Sequence, residues 1–156
     1  MKRKSIHRVL AWSIALFWMG VIFYLSHQPG EASSELSSGI VKFVVEVLSF
    51  AIPKGLIEIK TLHLFVRKFA HFFAYFLLGV FILHAVLIDR SMTFRTALFV
   101  YLFTILYAIS DEVHQLFIPG RSGEVRDVII DSFGSATGIS LYSFGRKVWQ
   151  RKRRAL

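Results

Sequence analysis

Cysteine is absent from the sequence, which excludes disulfides, thiolate metal sites and cysteine nucleophiles outright. The absence is silent on compartment, because it suits either redox environment. Acids are scarce: ten Asp and Glu stand against nineteen Lys and Arg, for a formal net charge of +9. Such an excess raises nucleic acid as a partner, but no basic stripe interleaved with aromatics occurs, and the charges instead flank apolar runs. No nucleic-acid partner is expected. Internal repeats, low-complexity segments and the His-Glu-x-x-His zinc motif are also missing.

What is abundant is apolar. Hydrophobic residues make up 54% of 156 positions, with a mean hydropathy of +0.55, where ordinary soluble domains hold about 45–50%. The pattern predicts an all-α membrane protein, one domain over 1–156, built as a bundle of four transmembrane helices at about 9–25, 69–88, 93–110 and 128–144. The first run follows Lys2, Arg3, Lys4 and Arg8, and ends in bulky Phe23, Tyr24 and Leu25 without a small-x-small site. It therefore reads as an uncleaved anchor. The fourth run is the most polar, holding Asp131 and several Gly, Ser and Thr; small residues of this kind let helices approach closely. In the first long connection, Ser33 to Ser38 reads as a polar turn. Ile40, Val41, Phe43, Val44, Val47, Leu48 and Ala51 then recur at helical spacing up to Pro53, predicting an amphipathic interfacial helix.

Orientation follows from the positive-inside bias. Four spans place twelve of the nineteen basic residues on one side, with Asp89 as the single acid there and nine acids opposite. Both termini are then expected in the cytoplasm of a plasma membrane. A three-span chain would export the tail that carries Arg146, Lys147, Arg151, Lys152, Arg153 and Arg154.

This threading brings polar residues from every helix to the outer face. Ser26, His27 and Gln28 follow the first span; Arg67, Lys68 and His71 open the second; Asp111, Glu112, His114 and Gln115 close the third; Arg126, Asp127 and Asp131 open the fourth. At 100° per residue, Lys68, His71, Tyr75 and Gly79 fall within about 80° of one helix. Thr104, Tyr107, Asp111 and Gln115 span about 80° of the next, and Asp127, Asp131, Gly134 and Gly138 about 60° of the last. Ile139 lies off that last stripe and is expected to tolerate exchange for Leu. Ionisable stripes turn away from lipid, so an outward-open polar pocket is expected. Caps, snorkelling anchors and interhelical glue use the same residue types, and both readings stand at this point. His7, His63 and His84 have no polar company and read as incidental. Arg121, in the turn Pro119-Gly120-Arg121-Ser122-Gly123, is placed either to clamp a phosphate or carboxylate or to pair with Glu112 or Asp127.

The pattern Lys68-x-x-His71-Phe72-x-x-Tyr75-x-x-x-Gly79, then Asp111-Glu112-x-x-Gln115-x-Phe117-x-Pro119-Gly120-Arg121, then Asp127-x-x-x-Asp131-x-x-Gly134-x-x-x-Gly138 resembles the VanZ-like family of membrane proteins. Ser26-His27-Gln28-Pro29 is similar to that family's short segment after the first span. The resemblance covers about residues 25–138 and departs at Asp131, where Asn is the family's usual residue. It implies a bacterial cell-envelope setting and a link to low-level resistance to teicoplanin and related lipoglycopeptides, with no agreed activity. Two functions remain open. In one, the protein acts on an anionic lipid or lipid-linked envelope precursor. Lys68 and Arg121 hold phosphate, His71 acts as general acid or base, Asp111 or Glu112 orients it or activates water, and Tyr75, Gln115 and Gln28 line the site. A divalent cation such as Mg²⁺ on Asp111, Glu112, Asp127 and Asp131 fits this reading. In the other, the protein binds envelope lipid, antibiotic or a partner membrane protein without catalysis. A channel or transporter is disfavoured because Leu77, Leu78, Val80, Phe81, Ile82 and Leu83 line the inner half of span two, span three is similarly apolar there, and a continuous polar path for conduction is missing.

Overall fold

The computed structural model describes residues 2–48 and 59–154. Within them the chain forms five helices and no strand: α1 (Lys2–Ser26), α2 (Gly30–Leu48), α3 (Ile59–Val86), α4 (Phe94–Gln115) and α5 (Val125–Arg154). Helices α1, α3 and α4 are each long and apolar enough to cross a membrane.

The helices run past the apolar windows that predicted them. Residues 59–68 contain neither Pro nor Gly, so nothing stops α3 from extending ten residues ahead of its expected start at 69. Thr93 caps α4, its side chain accepting from the Thr96 N–H at 3.1 Å. At its other end α4 continues through Gln115, so Asp111 and Glu112 sit on its last turn. The expected turn at Ser33–Ser38 is instead helical, within α2. Pro29 and Gly30 set the start of that helix, and Glu31 in its first turn complements the positive end of the helix dipole. Ala51 and Pro53, expected to close the amphipathic helix, lie outside the described residues.

Helix α5 packs most extensively on α3, and also on α4. A Cβ added at Gly134 would collide with the Phe72 carbonyl, and one at Gly138 with that of Phe76. The two backbones therefore touch where the small residues predicted close approach. Ile139 is buried at 6% exposure within the hydrophobic core, which corrects the expectation that it lies off the packed face. Contact with two neighbouring helices widens the buried arc of α5 beyond the Asp127–Gly138 stripe. The core itself joins Ala15 and Ile22 of α1, Leu78, Ile82 and Leu83 of α3, and Val100 and Ala108 of α4. Ring tips stitch the same helices: the Trp18 indole N–H donates to the Ala74 carbonyl (2.8 Å) and the Tyr107 hydroxyl to that of Met19 (2.7 Å).

At one end of the bundle Asp89, in the α3–α4 turn, pairs with Arg8 (2.8 Å) and Lys4 (3.7 Å) of α1. At the other end, α1 runs out against the turn between α4 and α5.

Candidate functional site

That turn is built around Pro119 and Gly120. The Arg121 N–H closes it on the Ile118 carbonyl (3.1 Å), and Gly120 takes φ +72°, the position where a Pro-Gly turn of type II requires glycine. The Gly30 N–H at the start of α2 donates to the Pro119 carbonyl (3.1 Å), and a side chain on Gly30 would strike Gly120. The two loops are thus docked together.

Arg121 pairs with neither Glu112 nor Asp127. Its Nε donates to the Gln28 carbonyl (3.0 Å), one terminal nitrogen to the Leu25 carbonyl (2.7 Å) and the other to the Gln115 side-chain oxygen (3.2 Å). Carbonyls at a helix C-terminus lack intrahelical donors, and Arg121 satisfies them for α1. Gln28 contributes in the same way, its amide donating to the Tyr24 carbonyl (3.2 Å). Burial, with Arg67 close by, lowers the Arg121 pKa from its ordinary value, while Asp111, Glu112 and Asp127 act to raise it; a guanidinium remains charged through such a shift.

Two polar clusters meet beside this staple. In the first, the Ser26 hydroxyl donates to Asp111 (2.7 Å), and the Gln115 amide reaches Asp111 (3.4 Å) and Glu112 (3.2 Å). In the second, Lys68 bridges Glu124 (3.0 Å) and Asp127, while His71 Nδ1 stands 3.4 Å from Asp131. The other oxygen of Glu112 accepts the Glu124 N–H (2.8 Å), tying the last turn of α4 to the entry of α5. Asp127, Asp131 and Gln115 are fully buried, and Asp111 and Glu112 are nearly so.

A cavity of about 220 Å³ opens beside the first cluster. Ile22, Leu25, Ile40, Val66, Ala70 and Ala74 form its apolar wall, and Ser26, Arg67, His71, Tyr75, Asp111 and Arg121 its polar one. Several atoms on that polar side are buried without a hydrogen-bond partner: Nε and one terminal nitrogen of Arg67, the Tyr75 hydroxyl and one oxygen of Asp111. Buried polar groups are nearly always paired, so these atoms stand out among the described residues.

The structure therefore brings together His71, Tyr75, Asp111 and Arg121 on the cavity. Lys68, Glu112, Gln115, Asp127 and Asp131 form the layer behind it, and Gln28 caps α1. Lower members of the stripes act as glue: Thr104 and Ser135 share a hydrogen bond between α4 and α5, and Tyr107 is spent on Met19. Of the four carboxylates expected to surround a cation, Glu112 and Asp131 converge, with His71 as the third member. One ligand atom from each lies within 4.8 Å of the others, whereas Asp111 turns to Ser26 and Asp127 to Lys68. Arg67, expected at the outer face but not among the site residues, also lines the cavity. Its spacing to His71 and Tyr75, four and eight residues on, put it on their helix face.

Fold and site together define a helical membrane protein with a buried, charged centre at one end of its bundle. The chain matches the VanZ/LLP1 family over residues 11–146 and belongs to it. No curated protein and no solved structure matches it.

Proposed function

We propose that this protein binds an anionic amphiphile, a lipid or lipid-linked envelope precursor, in the cavity between α1, α2 and α3, and acts on its head group at the outer face of a bacterial plasma membrane. The observation that carries this reading is Arg67, whose guanidinium lines an apolar-walled cavity with two buried nitrogens unpaired. A phosphate supplies two oxygens as charge-assisted partners for such a planar fork, and an acyl or prenyl chain suits the wall of Ile22, Leu25, Val66 and Ala74. His71, Tyr75 and Asp111 face the same space and supply the groups that activate water or a hydroxyl against the head group. A head-group change at the cell surface lowers antibiotic access, in keeping with the resistance the family resemblance implies.

The reading includes four spans, with both termini cytoplasmic and α2 lying at the outer interface. Its support is the face that α5 leaves uncovered: Ile129, Phe133, Leu141 and Phe144 are exposed, while Asp127, Asp131 and Ser135 are buried. A helix with its polar side inward and its apolar side outward is placed for lipid.

The test has two parts. A short-chain phosphatidic acid should bind the purified protein, and Arg67→Ala should weaken it at least tenfold. Lipid analysis of cells carrying wild-type protein or His71→Ala should then show a head group altered only by the wild type. Binding lost in Arg67→Ala with head groups unchanged would replace catalysis by the second reading, a binding protein for envelope lipid, antibiotic or a membrane partner. Equal binding by wild type and Arg67→Ala would remove the cavity from either function.

A further inference from the structure

We infer that His71 of α3, Glu112 of α4 and Asp131 of α5 form a binding site for one divalent transition ion, of the Zn²⁺ or Mn²⁺ type, at the inner wall of the cavity. One potential ligand atom of each lies within 4.8 Å of the other two, although the residues come from three helices and are far apart in sequence. Helix packing alone has no need to gather an imidazole and two carboxylates at one point.

The second observation is the state of Asp131. Its side chain is wholly buried, and neither oxygen has a hydrogen-bond partner; the nearest cationic group is His71 Nδ1 at 3.4 Å. Asp127, also fully buried, keeps a second oxygen without a partner while its first takes Lys68. Carboxylates buried in this way are costly unless paired or bound to a metal. Lys68 already serves Asp127 and Glu124, and Arg121 is held by two carbonyls and Gln115. A divalent cation balances what these two leave.

The donor set selects the ion. Mg²⁺ and Ca²⁺ take oxygen ligands, whereas one imidazole with two carboxylates suits Zn²⁺ and, with more oxygen character, Mn²⁺. Ligands at about 2.1 Å from an ion stand about 3.4 Å apart in a tetrahedron, so the present cluster closes by small side-chain rotations. Glu112 accepts from Gln115 and from the Glu124 N–H, which fixes its carboxylate while each oxygen keeps a further lone pair. Three protein ligands leave a coordination position open, as in catalytic zinc sites. Since His71 also lines the cavity, an ion held by these three residues would lie beside the space assigned above to the head group and would supply Lewis-acid chemistry there. This use of the ion rests on the cavity's taking an anionic amphiphile; ion binding itself does not.

Full-length protein in detergent, stripped with a chelator, would be titrated with Zn²⁺ and with Mn²⁺ alone, without lipid, and the bound metal counted by mass spectrometry. One equivalent per chain is expected, with a rise in melting temperature on loading. His71→Ala and Asp131→Asn should each weaken binding at least 100-fold, while His114→Ala binds as wild type. Stripped Asp131→Asn should melt at or above stripped wild type, because it removes an uncompensated buried charge. No stoichiometric ion, or unchanged binding in Asp131→Asn, overturns the site. So does a lower melting point of stripped Asp131→Asn, which would make Asp131 the ion-pair partner of His71 and nothing more. Retained phosphatidic acid binding in a protein that takes no metal would leave the cavity reading intact and dismiss the ion alone.

Discussion

Arg67 and Arg121 line the same cavity, yet their surroundings assign them opposite work. Arg121 spends its donors on the Leu25 and Gln28 carbonyls and on Gln115. Arg67 keeps two buried nitrogens unpaired. Hydrogen bonds to a charged group contribute about 1.5–3 kcal/mol each, and a lysine cannot reproduce a three-way fork. Arg121→Lys is therefore expected to lower stability by about 2–3 kcal/mol, read as a fall in melting temperature, whereas Arg67→Ala should leave melting nearly unchanged and weaken anion binding. The reverse pattern would return Arg121 to the clamp that its place in a glycine-bearing turn suggests. Sequence could bring Arg121 to the outer face but could not choose its partners, because backbone carbonyls have no signature in side-chain patterns. His71, Tyr75, Asp111 and Asp131 were legible for the opposite reason: polar residues spaced at helical period in an apolar segment have only the protein interior to face.

At the scale of the element, α5 shows why its polar residues make it the weakest apolar run and yet the helix packed most extensively on α3. Gly134 and Gly138 press on the Phe72 and Phe76 carbonyls, while Gly20 and Gly145 have open space where a side chain would go. Backbone cannot yield as a side-chain tip can, and overpacking costs about 1–3 kcal/mol. Gly134→Ala and Gly138→Ala should each lower the melting temperature in detergent. Gly20→Ala and Gly145→Ala should be neutral or slightly stabilising, since alanine is favoured over glycine in a helix by about 1 kcal/mol. Uniform tolerance would mean that α3 and α5 are not in backbone contact. The close approach was readable from the Gly-x-x-x-Gly spacing, and so was the existence of each long helix. Helix ends were not, because membrane helices continue as long as nothing breaks them, and residues 59–68, which mix Lys60, Arg67 and Lys68 with Ile59, Leu62, Leu64, Phe65 and Val66, form no unbroken apolar run. The burial of Ile139 was hidden too: periodicity gives the direction of a buried face, while its width depends on how many neighbours cover it.

For the whole molecule, the direction in which α5 runs decides where the site opens. Ser122 precedes this helix and Gln150 lies near its end; both are exposed, as is Ser91 in the α3–α4 turn. Thirty residues of helix extend about 45 Å at 1.5 Å per residue, enough for a hydrocarbon core of about 30 Å. The chain has no cysteine, so each position can be probed singly without altering a native thiol. In intact cells, an impermeant thiol reagent should label Ser122→Cys and spare both Gln150→Cys and Ser91→Cys, which should react only after permeabilisation. Labelling of Ser122→Cys and Gln150→Cys alike would place both ends of α5 outside. The basic tail of Arg146, Lys147, Arg151, Lys152 and Arg153 would then be exported against the positive-inside bias, and the four-span arrangement would fail. Opposite labelling, with Ser91 protected, would fix Lys68, Asp111 and Asp127 at the outer end. The cavity would then be open to lipids of the outer leaflet and to drugs that approach from outside.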